Sequence, residues 1–207
     1  MFEHVVGVTP EQATPLVAKA LENIEYGRID ALREYLETLP DSDSDGSAGA
    51  AKAVDALDSE MHRTMLHVAA GWARADAVEA LLEAGANPNA ADDVDEETAL
   101  HIACESGSLA CVEKLVDAGC ELDRANGDGW TALHIAATEG HEGIVKELLD
   151  AGADIDRANV DGWSALRLAR AEGEKGVVQA IRDAVKRRKE KALAKKEQRT
   201  RCVLDRI

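Results

Sequence analysis

The stretch Thr131-Ala-Leu-His-Ile-Ala-Ala137 decides the fold of this chain, because three related stretches occur elsewhere in its 207 residues. They are Thr64-Met-Leu-His-Val-Ala-Ala70, Thr98-Ala-Leu-His-Ile-Ala-Cys104 and Ser164-Ala-Leu-Arg-Leu-Ala-Arg170. The first residues of the four stretches lie 34, 33 and 33 positions apart. A nearly constant period of this length predicts a repeat protein in which each unit packs against its neighbours.

Each stretch is followed by a second apolar stripe, and the two together predict a pair of antiparallel helices in every repeat. After Thr131 the second stripe contains Val145, Leu148 and Leu149, whose spacing is helical and recurs in the other units. The second helices end in a turn signal whose glycine can adopt the left-handed conformation that closes a helix. These glycines are Gly85, Gly119 and Gly152.

This pattern resembles the ankyrin repeat. The resemblance rests on the Thr-x-Leu-His-x-Ala motif, its 33-residue spacing, the glycine between the helices and the Gly-Ala-Asn or Gly-Ala-Asp turn, and it covers residues 59–182. It implies an all-α solenoid of helix-turn-helix units with hairpin-like loops. It also implies that the motif threonines cap the first helices and that the motif histidines, His67, His101 and His134, brace neighbouring backbone.

A looser unit lies upstream, where Gly27, Ile29 and Leu32 copy the register of the later repeats. The sequence therefore predicts five repeats, the first of them degenerate. The predicted layout is an N-terminal capping repeat over 10–40, a flexible acidic insertion over 41–58, four repeats over 59–185 and a basic C-terminal helical tail over 186–207.

Composition narrows the classes of function. The chain holds 37 alanines and only 3% aromatic residues, which predicts a close-packed core of small side chains. The formal net charge of −16 disfavours nucleic-acid binding by the repeats, because it repels phosphate backbones. No apolar run is long enough to span a membrane and no secretory signal is recognised, so we expect an intracellular protein, cytoplasmic or nuclear. We also expect a monomer with reduced cysteines.

Two segments depart from this average. The insertion is rich in acid, serine and glycine; Ser42 and Ser44 are either targets of an acid-directed kinase or part of a tolerated surface loop.

Residues 182–207 carry 11 basic and 4 acidic residues, which leaves a net charge of −23 on the rest of the chain. The run Lys186, Arg187, Arg188 and Lys189 resembles a nuclear import signal. Alternatively, the tail folds back on the acidic body or weakly contacts RNA or anionic lipid, and it is expected to extend into solvent beyond Val185.

Motifs for catalysis do not occur. The sequence lacks a phosphate-binding loop, a nucleophile elbow and a zinc-protease or Cys-x-x-Cys motif. His4 and His62, which lie outside the motif, have no ligand or triad partner at suitable spacing. We therefore expect a protein that is not an enzyme and uses no cofactor or metal.

The candidate contact residues are tryptophans with acidic neighbours. Trp130 and Trp163 stand at equivalent positions immediately before the repeat motifs, so they should lie side by side on the hairpin tips. Indoles are enriched at interface hot spots, although they could instead stabilise the stack by packing on the neighbouring hairpin. The full candidate set is Trp130, Trp163, Trp72, Asp128, Asp161, Glu139, Asp95 and Glu97, with Glu105 and Glu172 further along the helices. The acidic residues either attract a basic partner or form a solvated rim.

These expectations define two functions. The first is a non-enzymatic interaction module or adaptor that binds a basic or mixed-charge protein partner through its concave hairpin and inner-helix surface. The alternative is a nuclear regulatory or chaperone-like factor for basic clients such as histone tails. One hairpin should differ from the others, because Glu96 stands where Gly129 and Gly162 stand in a loop that is one residue longer. That predicts a distorted or mobile tip.

Overall fold

A computed structural model describes residues 10–39, Asp55 and residues 63–204, with side chains described for 17–39, 55 and 63–194. Ser42, Ser44, Met61, His4 and His62 lie outside these residues. In the described part of the chain there are ten helices and no strand beyond three isolated bridges. The helices are α1 (Pro10–Glu25), α2 (Ile29–Glu37), α3 (Met65–Gly71), α4 (Ala75–Glu83), α5 (Ala99–Glu105), α6 (Leu109–Asp117), α7 (Ala132–Thr138), α8 (Glu142–Ala151), α9 (Ala165–Glu172) and α10 (Lys175–Leu204).

The helices form five consecutive pairs, and the pairs stack into a solenoid. The first helices, α1, α3, α5, α7 and α9, pack in one layer, and the second helices, α2, α4, α6, α8 and α10, pack in another. The predicted all-α repeat fold is therefore confirmed. The helix pair α1 and α2 occupies the place of the predicted degenerate repeat and packs on α3 and α4.

The core has the small-residue character that the composition predicts. Leu66, Leu100 and Leu133 occupy equivalent positions in the first helices and are buried. The alanines three positions further on, together with the equivalent alanine of the last repeat, are fully buried, which lets neighbouring helices approach closely. These alanines are Ala69, Ala103, Ala136 and Ala169.

The motif threonine and histidine close the start of each first helix. Thr64 has an extended backbone, and its side chain accepts from the backbone of His67 while the backbone N–H of Thr64 donates to Nδ1 of His67 at 3.2 Å. This is a reciprocal capping box in which histidine takes the role usually played by glutamate. The same arrangement recurs at Thr98 and Thr131.

The same histidines also join one repeat to the next. Nε2 of His67 donates to the carbonyl of Glu97 at 2.9 Å, and Nε2 of His101 donates to the carbonyl of Trp130 at 3.1 Å. His134 makes the corresponding bond to the carbonyl of Arg157 at 3.1 Å. Because Nδ1 accepts a backbone N–H, the ring proton must sit on Nε2. The predicted bracing role of these rings follows from that tautomer.

Asx side chains form a second connection between repeats, along the loops that leave the second helices. Oδ1 of Asn89 accepts the backbone N–H of Glu121 at 2.7 Å, and Oδ1 of Asp123 accepts that of Asp154 at 2.7 Å. Asp55 makes the equivalent bond to the N–H of Asn87 at 2.9 Å. Asp55, which belongs to the predicted acidic insertion, thus makes the same hydrogen bond between repeats as Asn89 and Asp123 make further along the chain.

The turns between helices require left-handed backbone, which glycine supplies at most of them. Gly85, Gly119 and Gly152, the predicted helix-closing residues, have φ of 87°, 77° and 114°. In the described ranges, two non-glycine residues adopt the same conformation: Ala73 with φ of 54° and Glu96 with φ of 57°. L-residues are strained in this region, so both positions carry a cost that their glycine counterparts avoid.

The Glu96 hairpin keeps the bridge of its neighbours, so the expected distortion of the hairpin is wrong, while the expected mobility of its tip stays a prediction. Its bridge between Ala91 and Thr98 matches the bridges Ala125 to Thr131 and Ala158 to Ser164 in the following repeats. Glu96 keeps the backbone conformation of Gly129, and the additional residue in the loop is accommodated at the tip.

The basic tail continues the last repeat as one helix, since α10 runs unbroken for 30 residues. Nη2 of Arg188 donates to the carbonyls of Leu149 and Ala153 at 3.1 and 2.7 Å, at the carboxyl end of α8. Nη1 of Arg187 lies 2.9 Å from Oδ1 of Asp150. Polar contacts therefore dock the first turn beyond Val185, where we expected free solvent, whereas residues 189–194 are exposed as expected.

The strain at Ala73 gives a stability prediction. Ala73→Gly is expected to raise the free energy of unfolding by about 0.5–1 kcal/mol. Glycine adopts φ of 54° without the Cβ clash, and this gain exceeds the cost of the greater conformational entropy that glycine has in the unfolded chain. Urea denaturation followed by circular dichroism measures the change. As a control, Ala171→Gly in the exposed end of α9 should destabilise the protein. A loss of stability in Ala73→Gly would contradict the argument.

The buried motif histidines predict how the stability of the protein depends on pH. Burial lowers the pKa of His67, His101 and His134 below 6.5, although their carbonyl partners oppose the shift. The unfolded chain therefore binds more protons than the folded chain below pH about 6.5, and stability falls as the pH decreases from there toward the folded-state pKa values. The limiting slope is about 1.4 kcal/mol per pH unit for each histidine. Denaturation midpoints between about pH 7 and 5.5 measure it, and His101→Asn should have a shallower slope; equal slopes would contradict the assignment.

Candidate functional site

The hairpin tips are held by Asx side chains that place the tryptophans. Oδ1 of Asn126 accepts the backbone N–H groups of Asp128 and Trp130, at 3.2 and 2.9 Å. Asn159 does the same for Asp161 and Trp163, at 3.1 and 2.9 Å. The sequence sets this geometry, because Asn favours local side-chain to backbone hydrogen bonds in tight turns. Both tryptophans consequently precede their helices in the same way.

Neighbouring tips contact one another. A Cβ placed on Gly129 would lie 2.8 Å from a methyl group of Val160 and 3.0 Å from its backbone nitrogen. The backbone N–H of Gly127 donates to the carbonyl of Asp95 at 2.8 Å. The tips of three successive repeats thus form one continuous edge, on which a partner would meet several repeats at once.

Trp130 lies beside a cleft of about 270 Å³. Four of the eight predicted contact residues, Trp130, Asp128, Glu139 and Glu97, line it, as does Glu105. Asn126, Ile135 and Thr138 complete the lining. The cleft combines one indole with four carboxyl groups and has no basic side chain in its lining.

The carboxyl groups of this cleft are only partly neutralised. Burial raises the pKa of Glu97 and the charges of Glu105 and Asp92 add to the shift, while Asn126 and Arg63 oppose it. Arg63 lies 3.5 Å from Glu97, but it also contacts the buried carboxylate of Asp92 at 3.3 Å. A further cation in the cleft would stabilise the ionised form of Glu97.

Asp92 is a structural carboxylate. Its Oδ1 accepts the backbone N–H groups of Asp95 and Glu97 at 3.0 and 3.1 Å, as the asparagines do in the later hairpins. Although burial opposes the shift, these bonds and Arg63 hold the pKa of Asp92 below its usual value. Asp95 itself is exposed at the tip and joins the next hairpin through its carbonyl.

The two equivalent tryptophans have different surroundings. The guanidinium of Arg167 lies over the Trp163 ring, 4.0 Å from its centroid. Trp130 instead has the ring of His134 edge-on, with centroids 6.2 Å apart and an interplanar angle of 64°. Both indoles are half-buried. Each therefore packs within the stack and also keeps exposed surface.

Trp72 occupies a separate position, at the end of α3, where 53% of its surface is exposed. It lines a second cleft of about 250 Å³ with Arg63, His67, Val68 and Gly71. The structure does not place Trp72 in the Trp130 cleft. Asp161 is exposed at the tip of the last hairpin, beside Trp163.

The basic run Lys186–Lys189 in α10 contains two arginines that contact the repeats and two lysines that are exposed. Arg187 and Arg188 contact the end of α8, as described above, and Arg188 is half-buried. Lys186 and Lys189 are exposed. The run is helical throughout.

Sequence reasoning missed several contributions to the site. Asn126 and Thr138 were not recognised as lining residues, although Ile135, Thr138 and Glu139 share the helical spacing that places them on one face of α7. The stacking of Arg167 on Trp163 was missed as well. An arginine four residues after a tryptophan at a helix start was the available signal.

The motif histidines are hydrogen-bonded on both ring nitrogens, and three cysteines are buried. His67, His101 and His134 each use both ring nitrogens in hydrogen bonds. Cys104, Cys111 and Cys120 are buried free thiols, and burial raises the pKa of Cys120 to about 11. Among the described residues, no group of three or more potential ligands could hold a metal ion. Within the same residues no helix is both long and apolar enough to cross a bilayer.

Comparison with known families agrees with this structure. The family model for ankyrin repeats matches the chain in three overlapping copies, over residues 24–126, 66–159 and 100–190. The chain therefore belongs to the ankyrin-repeat family. No curated protein matches it. Ankyrin repeats are generally protein-protein interaction modules and are typically non-enzymatic, so this chain belongs to a class of proteins that bind other proteins.

Proposed function

We propose that this protein is a non-enzymatic interaction module or adaptor that binds a basic segment of a partner protein along its hairpin edge and inner helices. The observation that supports this proposal most directly is the cleft beside Trp130, where an indole and four carboxyl groups come together. Of the remaining contact candidates, Trp163, Asp161 and Asp95 would extend the contact along the hairpin edge, and Trp72 would extend it along the inner helices.

Electrostatics favours a basic partner. The chain carries a net charge of −16, and its positive charge is concentrated in the C-terminal helix. Lysine or arginine side chains approaching the cleft would meet carboxylates whose mutual repulsion they relieve. Such complementarity raises association rates and weakens as salt screens the charges.

Three polar groups of the cleft are available for a ligand: the indole N–H of Trp130 and the carboxylates of Glu105 and Glu139. The indole N–H of Trp130 makes no hydrogen bond to the described part of the chain. Glu105 and Glu139 are exposed on successive inner helices. A partner can therefore gain hydrogen bonds and ion pairs here without breaking ones on which the fold depends.

A charge-neutralising variant tests the proposal. Glu105→Gln combined with Glu139→Gln is expected to weaken binding of a Lys/Arg-rich peptide by about fivefold to tenfold, because two favourable charge interactions are lost. Isothermal titration calorimetry at about 0.05 and 0.5 M salt measures the affinity, which should fall with salt.

The matched control makes the same change in charge on the outer helices. Glu113 and Asp117 are exposed on α6, away from the cleft, so Glu113→Gln with Asp117→Asn should bind as the wild type does. Equal losses in both double variants, or an affinity that salt does not change, would contradict the proposed site.

A second candidate function is a nuclear factor for basic clients, with the tail as import signal. The exposure of Lys186 and Lys189 supports it. Lys186→Ala with Lys189→Ala is expected to abolish nuclear accumulation of a fluorescent fusion and to leave the docked arginines intact. Lys191→Ala is the control. Unchanged nuclear accumulation would favour a cytoplasmic adaptor.

A further inference from the structure

The last repeat contains an arginine bound to a tryptophan, and the preceding repeat contains the equivalent tryptophan without one. Trp163 and Trp130 are 33 residues apart and stand at the same hairpin position. Arg167 lies over the Trp163 ring at 4.0 Å. At Trp130 the corresponding helix position is His134, whose ring is inclined by 64° to the indole with centroids 6.2 Å apart and so does not stack flat on it.

The reason for this difference lies in the stacking. His134 directs Nε2 toward the carbonyl of Arg157 in the next hairpin, and its inclined ring does not stack on the Trp130 indole. The last repeat is followed by α10 and not by another hairpin in the described chain, so position 167 has no such carbonyl to reach. Arg167 packs on the indole of its own repeat instead.

The cleft beside Trp130 suits the same chemical group. A guanidinium stacks on an indole face through cation–π attraction and is more weakly hydrated than an ammonium. Its planar N–H groups can also bind a carboxylate in a two-point arrangement, which a lysine cannot. Glu105 and Glu139 supply such carboxylates beside Trp130.

We propose that the cleft beside Trp130 is a guanidinium-binding subsite, which takes an arginine side chain of the partner over the Trp130 ring as Trp163 takes Arg167. The inference rests on the proposed function and makes it specific. The partner segment must contain an arginine, and general positive charge does not replace it. The cleft volume of about 270 Å³ suits one long side chain better than a folded element.

Two peptides of equal charge test this subsite. One has a single arginine at the centre of four lysines, and the other has lysine at all five positions, so only the central group differs. The arginine peptide is expected to bind about fivefold more tightly to the full chain in calorimetry. Its side-chain proton resonances should move upfield on binding, because they lie over an aromatic ring.

Variants at Trp130 locate the effect. Trp130→Leu should remove the preference for arginine and the upfield shift, while Trp130→Phe should retain part of both; circular dichroism verifies that each remains folded. Preference that persists in Trp130→Leu, or equal affinity of the two peptides for the wild type, would overturn the subsite. If the two peptides bind the wild type equally and Glu105→Gln with Glu139→Gln weakens the binding of both, the proposed basic-partner function stands. If neither peptide binds, both proposals fail.

Discussion

A neutral imidazole that joins two repeats is the interaction on which this structure depends. Each motif histidine accepts a hydrogen bond at Nδ1 from its own helix cap and donates one from Nε2 to the next hairpin. The ring can do both only while it holds a single proton, since a protonated Nδ1 would oppose the cap N–H. Helix start, hairpin position and stacking distance are therefore fixed by the same side chain. The cleft exists because these bonds hold successive hairpins in line.

Much of the fold could be predicted from the sequence because its determinants are local and repeated. Period, caps and turn glycines act within a few residues of each other, so the motif at Thr131 was sufficient to predict the helix pairs and their order. The distortion of the Glu96 hairpin was predicted wrongly because a glutamate at a glycine position suggests strain but does not report whether neighbouring hydrogen bonds outweigh it. Bonds around Asp92 retain the hairpin despite a φ of 57° at Glu96. The docking of Arg188 was missed for a related reason, since its partners are backbone carbonyls that leave no pattern in the sequence.

The candidate site was predictable in its location and less so in its chemistry. A tryptophan before a helix and acids at equivalent positions marked the hairpin edge, and four of those residues do line one cleft. Sequence alone treated Trp130 and Trp163 as a matched pair. Their difference arises from the side chain one helical turn away, His134 or Arg167, and from whether another hairpin follows to accept a hydrogen bond. Such a difference depends on position in the stack, which a repeat motif does not encode.

The continuity of α10 with the last repeat also makes the charge distribution of the molecule asymmetric. Thirty residues of helix span about 45 Å, and the first turns beyond the repeats are held to α8 by Arg187 and Arg188. The basic residues of α10 therefore lie at one end of a molecule whose other residues are strongly negative. Separated charges of this kind form a large permanent electric dipole moment. Such a dipole favours one orientation of the protein toward a charged partner, over the roughly 8 Å at which salt leaves the charges incompletely screened.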